Sequence, residues 1–285
     1  MSSPSSQNNF IFFGSPRFAE IVLRGLLDAG HVPVAVVCNP DCPVGRKGII
    51  TPPPVKLLAQ KHGIPVIQTT VIPDLIRNLD SRFRGNDRFF GIVAAYSRIL
   101  PAEVIAFFPK GIIGVHPSLL PKYRGATPIQ SAILAGEAET GVTLYLIDEK
   151  MDHGPMLTNS VYHIPNAASY TELEQELAKA GAELLVKTIT DYLLDGKIIP
   201  QEQDHKKATF TKKFKTEDGL VDLGKDDPIS VYRKIRALSH EPGVFAIKNG
   251  KRVKLLDAVM ENGRNIIITR IVEEGKKPEG VRILV

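Results

Sequence analysis

The sequence predicts an α/β protein, with a Rossmann-like N-terminal domain followed by a smaller β-barrel domain. Three observations carry this. Phe10-Ile11-Phe12-Phe13, a helical stretch and Val32 to Cys38 form a β-α-β start. Phe89 to Ala95 and Ile112 to Val115 are further short apolar runs, as expected of buried strands. Beyond residue 205 the pattern changes to short strands broken by Asn-Gly turns, for which a small barrel is the natural solution. A chain of 285 residues has room for both domains.

The elements follow in order. Met1 to Asn9 is polar and Ser-rich and lacks the basic residue and apolar run of a signal peptide, so a frayed tail is expected. Gly14-Ser15-Pro16 turns into a helix that runs to Leu27 and stops at Ala29-Gly30. That turn has one glycine, where the dinucleotide fingerprint G-x-G-x-x-G needs three. A long loop from Asn39 to Gly48 is rich in Pro and Gly and carries Arg46 and Lys47 at its tip. Loops of this kind are common binding elements. Val55 to His62 is expected as a helix and Gly63 to Ile67 as a short strand. Ile72 to Arg88 is basic and irregular, with Arg77, Arg82, Arg84 and Arg88, and is taken as a surface insertion or replacement.

Thr140 to Ile147 alternates like a strand. From Thr171 to Leu194, Leu173, Leu177, Leu184, Leu185, Ile189 and Leu193 share one face of an amphipathic helix. Ser169 and Glu172 have the spacing of a capping box, and Asp195-Gly196 ends the helix. Gln201 to Lys207 is charged and is expected as interdomain linker. Pro228 to Ser239 forms the last predicted helix. Lys248-Asn249-Gly250-Lys251 is a hairpin signal between Val244–Ile247 and Val253–Leu256, and Glu261-Asn262-Gly263 separates off Ile266–Ile271.

Composition excludes several classes. No apolar run approaches the roughly 20 residues of a membrane span. Cys38 and Cys42 lack further ligands at zinc spacing and fit reduced thiols in a cytoplasmic protein. The net charge of +5 divides into −2 before residue 205 and +7 from His205 onward, so the basic part suits a polyanion or is a solvated lysine-rich surface.

The centre of the sequence is Lys110 to Gln130. The apolar run delivers His116 to a strand end, and Pro117 stops the ladder because it has no N–H. Ligands of open parallel sheets bind at such ends, and a neutral imidazole there can take a proton near pH 7. Read in order, His116-Pro117-Ser118-Leu119-Leu120-Pro121, Tyr123-Arg124-Gly125, Glu139-Thr140-Gly141-Val142-Thr143 and Asp148…Asp152…Gly154-Pro155 resemble the folate-dependent formyltransferases. The resemblance covers at least Phe10 to Leu157.

The resemblance implies a site. His116 is the general acid and base, Asp152 holds its imidazole, and 10-formyltetrahydrofolate is the co-substrate, with no metal. Ser118, Leu119, Leu120, Pro121, Ala94, Ala95, Tyr96 and Ile147 would wall the folate. Gly14, Ser15 and Pro16 would lie beside the acceptor amine, and Arg46 and Lys47 would enter the acceptor stem of initiator methionyl-tRNA. Residues 1–202 would be catalytic, 203–209 a linker, and 210–285 a shortened OB-like tRNA-binding domain in a cytoplasmic monomer. The C-terminal match is looser, resting on Ala208 to Lys213, the segment Glu217 to Asp222 and Ile235 to Leu238.

Some positions depart from the family pattern. Cys42 replaces an arginine and Ser97 a glycine. Gly114 stands where the family has an asparagine that donates to the developing oxyanion, and a lost donor of that kind costs about 10²–10³ in rate. Gly114→Asn would then raise the rate at least about tenfold, unless the glycine belongs to a different arrangement. A sugar-nucleotide N-formyltransferase, and a tRNA- or folate-binding protein without catalysis, are the alternatives.

Overall fold

The computed structural model describes residues 10–45, 48–68, 89–194 and 197–285. The expected tail, the tip residues Arg46 and Lys47, the arginine-rich stretch and the Asp195-Gly196 helix stop lie outside the described residues. The chain folds into two compact units. One takes the chain up to Arg124, Gly141–Val161 and Gln175–Thr209; the other takes Gly125–Thr140, Tyr162–Glu174 and Phe210–Val285.

The strands are β1 (Phe10–Gly14), β2 (Ala35–Cys38), β3 (Cys42–Val44), β4 (Ile49–Thr51), β5 (Val66–Gln68), β6 (Phe90–Ala94), β7 (Ile112–His116), β8 (Arg124–Gly125), β9 (Glu139–Leu146) and β10 (Met156–His163). The helices up to this point are α1 (Arg17–Asp28), α2 (Pro54–Lys61), α3 (Ala102–Ala106) and α4 (Pro128–Ala135). Seven strands form one sheet in the order β10-β9-β7-β6-β1-β2-β5. β1, β2, β5, β6 and β7 pair in parallel, and β9 joins antiparallel to β7. The chain steps outward from β1 through β2 to β5, then restarts on the other side with β6 and β7. That reversal is the switch point at which open α/β sheets bind ligands.

β1 is buried throughout, as its unbroken apolar run requires of a strand covered on both faces. Phe10 stacks on Phe90 at 5.2 Å and Phe89 on Phe108 at 5.1 Å. β2 starts at Ala35 and not at Val32, because Pro33 has no N–H for a ladder. Its last residue, Cys38, is buried, which pushes its thiol up to about 11; both cysteines are free.

α5 (Tyr170–Thr188) starts with the expected capping box: Ser169 N–H donates to Glu172 Oε2 at 2.8 Å, and Glu172 N–H to Ser169 Oγ at 3.4 Å. The helix does not stay α-helical to Leu194. Thr188 Oγ1 donates back to the Leu184 carbonyl at 2.7 Å, and Ile189–Leu194 continues as a π turn.

β11 (Phe210–Thr211), α6 (Pro228–Leu238), β12 (Val244–Lys248), β13 (Lys251–Glu261), β14 (Asn265–Glu273) and β15 (Glu279–Leu284) complete the chain. β12 to β15 form a four-stranded antiparallel sheet in sequence order. The expected Asn-Gly turn joins β12 to β13, with Asn249 and Gly250 at φ 51° and 73°. Asn262 and Gly263 repeat it before β14. Register shifts in β13 and β14 bend this small β domain.

Candidate active site

Register brings the sheet's carboxyl ends into line. Gly14 lies opposite Ala94, and Ala94 opposite Val115. Ser15, Ala95 and His116 therefore leave the sheet side by side. Ser15 is buried, and its Oγ accepts from Asn39 N–H at 2.9 Å. Asn39 Nδ2 donates to Ser97 Oγ at 3.0 Å, so the serine at the usual glycine position ties the ends of β2 and β6. Pro16 is the N-cap residue of α1.

His116 is 6 % exposed. Its Nε2 lies 2.9 Å from the carbonyl oxygen of Tyr123. A carbonyl only accepts, so Nε2 carries a proton and Nδ1 is the position that gains one. Asp152 Oδ2 lies 3.6 Å from that Nδ1. This is longer than a hydrogen bond, and such contacts tighten when substrate binds. Tyr123 and Asp152 both have positive φ, 59° and 51°. Two loops are thus held in an uncommon conformation to present groups to one imidazole.

Tyr145, in the alternating strand, carries no signal in the sequence that sets it apart as a site residue. It donates its hydroxyl to Asp152 Oδ1 at 2.7 Å. Burial, and then the Asp152 charge, push the phenol well above its ordinary range, so it stays a donor. Across the β7–β9 ladder Tyr145 is the partner of Gly114. A Cβ at position 114 would lie 2.4 Å from Tyr145 Cε1 and 3.0 Å from its hydroxyl oxygen. The tyrosine ring therefore occupies the volume of a side chain at 114. The rate gain considered for Gly114→Asn is replaced by an expected loss.

Residues 203–209, expected as linker, are fastened to the first unit. Buried Gln203 donates Nε2 to the carbonyls of Asp152 (3.0 Å) and Gly154 (2.7 Å), and accepts from Arg124 Nη2 at 2.6 Å. Arg124 Nη2 also donates to His205 Nδ1 at 2.9 Å. The His205 ring stacks on His153 at 4.1 Å, and His153 Nδ1 meets Asp148 Oδ2 at 2.7 Å. Thr209 Oγ1 accepts from Tyr123 N–H at 2.8 Å. Gln203→Ala leaves two carbonyls without this donor. We expect it to destabilise the protein by about 1–3 kcal/mol, read as a lower urea midpoint, with a slower reaction.

The expected folate wall falls into two parts. Ala94, Ala95, Tyr96 and Ile147 come together: Tyr96 and Ile147 pack on the cluster of Phe13, Val37, Phe108 and Ile112, and Ile147 N–H donates to the Ile112 carbonyl at 2.8 Å. Ala95, at φ 47°, is exposed. Ser118 and Leu120 are buried by the protein itself. Ser118 Oγ donates to the Lys122 carbonyl at 2.7 Å, while Thr143 Oγ1 joins the Ser118 carbonyl (2.7 Å) and Leu120 N–H (3.1 Å). Leu119 and Pro121 are half-buried beside them. What this segment offers a ligand is chiefly backbone, with the two half-buried side chains.

The loop from Asn39 to Gly48, expected without regular structure, contains β3 and pairs with β4 as an antiparallel hairpin. Pro43 and the glycines hide this from a reading of periodicity. The base is pinned by Lys56, whose Nζ lies 2.8 Å from both Asp41 carboxylate oxygens and from Gln68 Oε1. The Lys56 and Gln68 hydrogen bonds hold the Asp41 carboxyl below its ordinary 3.8. A depressed folded value means the tether contributes above pH 3.8 and is lost as pH falls through that lower value. Hydrogen-exchange protection of the hairpin, corrected for intrinsic rates, should stay level from about pH 5 to 8 and fall in acid. Lys56→Met should weaken that dependence, leaving the part owed to Gln68.

Among the described residues no group of three or more His, Cys, Asp or Glu could hold a metal, and no helix is long and apolar enough to cross a membrane.

Comparison with known proteins settles the family. Residues 8–189 match the formyl transferase family and residues 213–282 the formyl transferase C-terminal domain. A methionyl-tRNA formyltransferase of Chloroflexus aurantiacus is 41 % identical over 269 residues, 93 % of this chain and 85 % of that protein. This chain belongs to the methionyl-tRNA formyltransferase family. The family's Halalkalibacterium halodurans member is 40 % identical, covering 86 % of this chain and 76 % of its own. The fold is shared with a Clostridium thermocellum methionyl-tRNA formyltransferase (TM-score 0.60, 17 % identity, 96 % and 99 % of the two chains). It is shared too with a Helicobacter canadensis N-formyltransferase in complex with folinic acid and dTDP-3-aminofucose (0.66, 19 %, 91 % and 94 %). The methionyl-tRNA formyltransferase family uses 10-formyltetrahydrofolate.

Proposed function

We propose that this protein moves the formyl group of 10-formyltetrahydrofolate onto the α-amine of initiator methionyl-tRNA. The observation that carries the chemistry is the buried His116, with Nδ1 facing Asp152 and Nε2 committed to Tyr123. The neutral amine attacks the formyl carbon, and the new C–N bond forms as the carbonyl oxygen gains charge. His116 Nδ1 takes the amine proton while Asp152 stabilises the cation. The same proton passes to the folate nitrogen, the C–N bond to folate breaks, and His116 returns to neutral.

In this reading the folate lies along Ala94 to Tyr96, Ile147 and the backbone of Ser118 to Pro121. The methionyl end lies at Gly14-Ser15-Pro16. Arg46, Lys47 and the basic residues 210–285 contact phosphates. Residues 1–202 are the catalytic domain, 203–209 the connection and 210–285 the tRNA-binding domain of a cytoplasmic monomer.

The test combines purified protein, 10-formyltetrahydrofolate and methionyl-initiator tRNA at several salt concentrations. Transfer with steep salt dependence of tRNA binding is expected. Transfer to an amino-sugar nucleotide, with none to tRNA, would sink the proposal.

A further inference from the structure

Tyr145 has a consequence for the chemistry beyond the residues assigned above. Its ring sits where any side chain at 114 would have to go. Its hydroxyl has one proton, and Asp152 Oδ1 receives it. The phenol is therefore not a free donor to the formyl oxygen. What it does is fix the carboxylate: with Oδ1 held by Tyr145, Oδ2 is the oxygen left facing His116 Nδ1. The backbone of the same residue is held separately, by Gln203 on the Asp152 carbonyl. Asp152 has a positive φ in a loop, so side-chain direction and backbone each have their own restraint.

We propose that Tyr145 is a positioning residue of the formyl transfer, holding Asp152 against His116 from the space that Gly114 leaves open. The inference rests on the proposed reaction, and it makes positions 114 and 145 alternatives: a side chain at one excludes the tyrosine at the other. A ring that merely packed would be replaceable by phenylalanine. One that aims Asp152 would not.

Single-turnover formyl transfer is measured for Tyr145→Phe, Gly114→Asn and the double variant Gly114→Asn with Tyr145→Ala. Tyr145→Phe keeps the ring, so the KM values for folate and tRNA should stay within about twofold of the parent's, and the loss of one buried hydrogen bond should lower the thermal midpoint without unfolding the protein. Its transfer rate should fall about 10–100-fold, the range for a lost hydrogen bond to a charged group. Gly114→Asn should lose both rate and stability, because the ring must give way. The double variant should recover stability, because the ring is gone, but not rate, because no hydroxyl then holds Asp152. A parental rate in Tyr145→Phe, or a double variant no more stable than Gly114→Asn, would overturn the inference. A crystal structure of Tyr145→Phe reads the same point without any acceptor: Asp152 Oδ2 should leave its contact with His116, and an unmoved carboxylate also overturns it. If the parent transfers no formyl group to tRNA, the proposed reaction fails, and the crystal structure still decides the role of Tyr145.

Discussion

His116→Ala is expected to slow formyl transfer by about 10²–10⁴-fold, the contribution of a positioned acid–base group. The loss should fall on the rate constant, with the folate KM little changed, because His116 is buried at a strand end, its Nε2 is committed to the Tyr123 carbonyl, and only Nδ1 is left to exchange a proton. The amine would still meet the formyl carbon, but its proton would have to go to water. Rapid-quench kinetics on the variant, with circular dichroism to confirm the fold, provide the check. A variant that keeps more than a tenth of the parental rate would remove His116 from the chemistry.

Gly154→Ala should be nearly as damaging, for a reason of space. A Cβ on Gly154 would lie 1.9 Å from the Leu146 carbonyl oxygen, a backbone atom at the end of β9. Leu146 cannot easily retreat, since its own N–H donates to the Pro155 carbonyl at 2.9 Å. The loop must yield instead, and Asp152 is two residues upstream. Overpacking of this kind costs about 1–3 kcal/mol, and a displacement near 1 Å at a reacting group costs about 10²-fold in rate. Urea unfolding and the transfer assay on one preparation would show both. A parental midpoint together with a parental rate would contradict the close approach.

Local signals carried much of the fold into the sequence. β1 and β7 announce themselves as apolar runs, the Ser169–Glu172 box and the Asn249-Gly250 turn by side-chain chemistry, and His116 by its place before Pro117. β3, β10, α3 and α4 were not legible, being short, interrupted by proline or without clear alternation. The partnership of Gly114 with Tyr145 is non-local. It exists because antiparallel pairing sets residues 31 apart in sequence face to face. A one-residue slip would turn Tyr145 to the other face and dismantle the site. Gln203 is hidden for a similar reason: it sits in a polar stretch, yet its amide is buried against the loop of Asp152 and Gly154.

The composite build of the second unit has a bearing on how the chain is made. Its helix α4 buries Ile129, Ala132 and Ile133, and it lies against α6, about a hundred residues later, with the Arg233 guanidinium packed at Gly136. Arg236 further reaches the carbonyls of Ala168 and Pro165. During synthesis, α4 must wait at the ribosome with its apolar face uncovered until α6 emerges. A chain released between His163 and Pro228 would leave that face bare while the first unit had most of its strands. Truncation would therefore yield a sticky remnant and not a freestanding catalytic module.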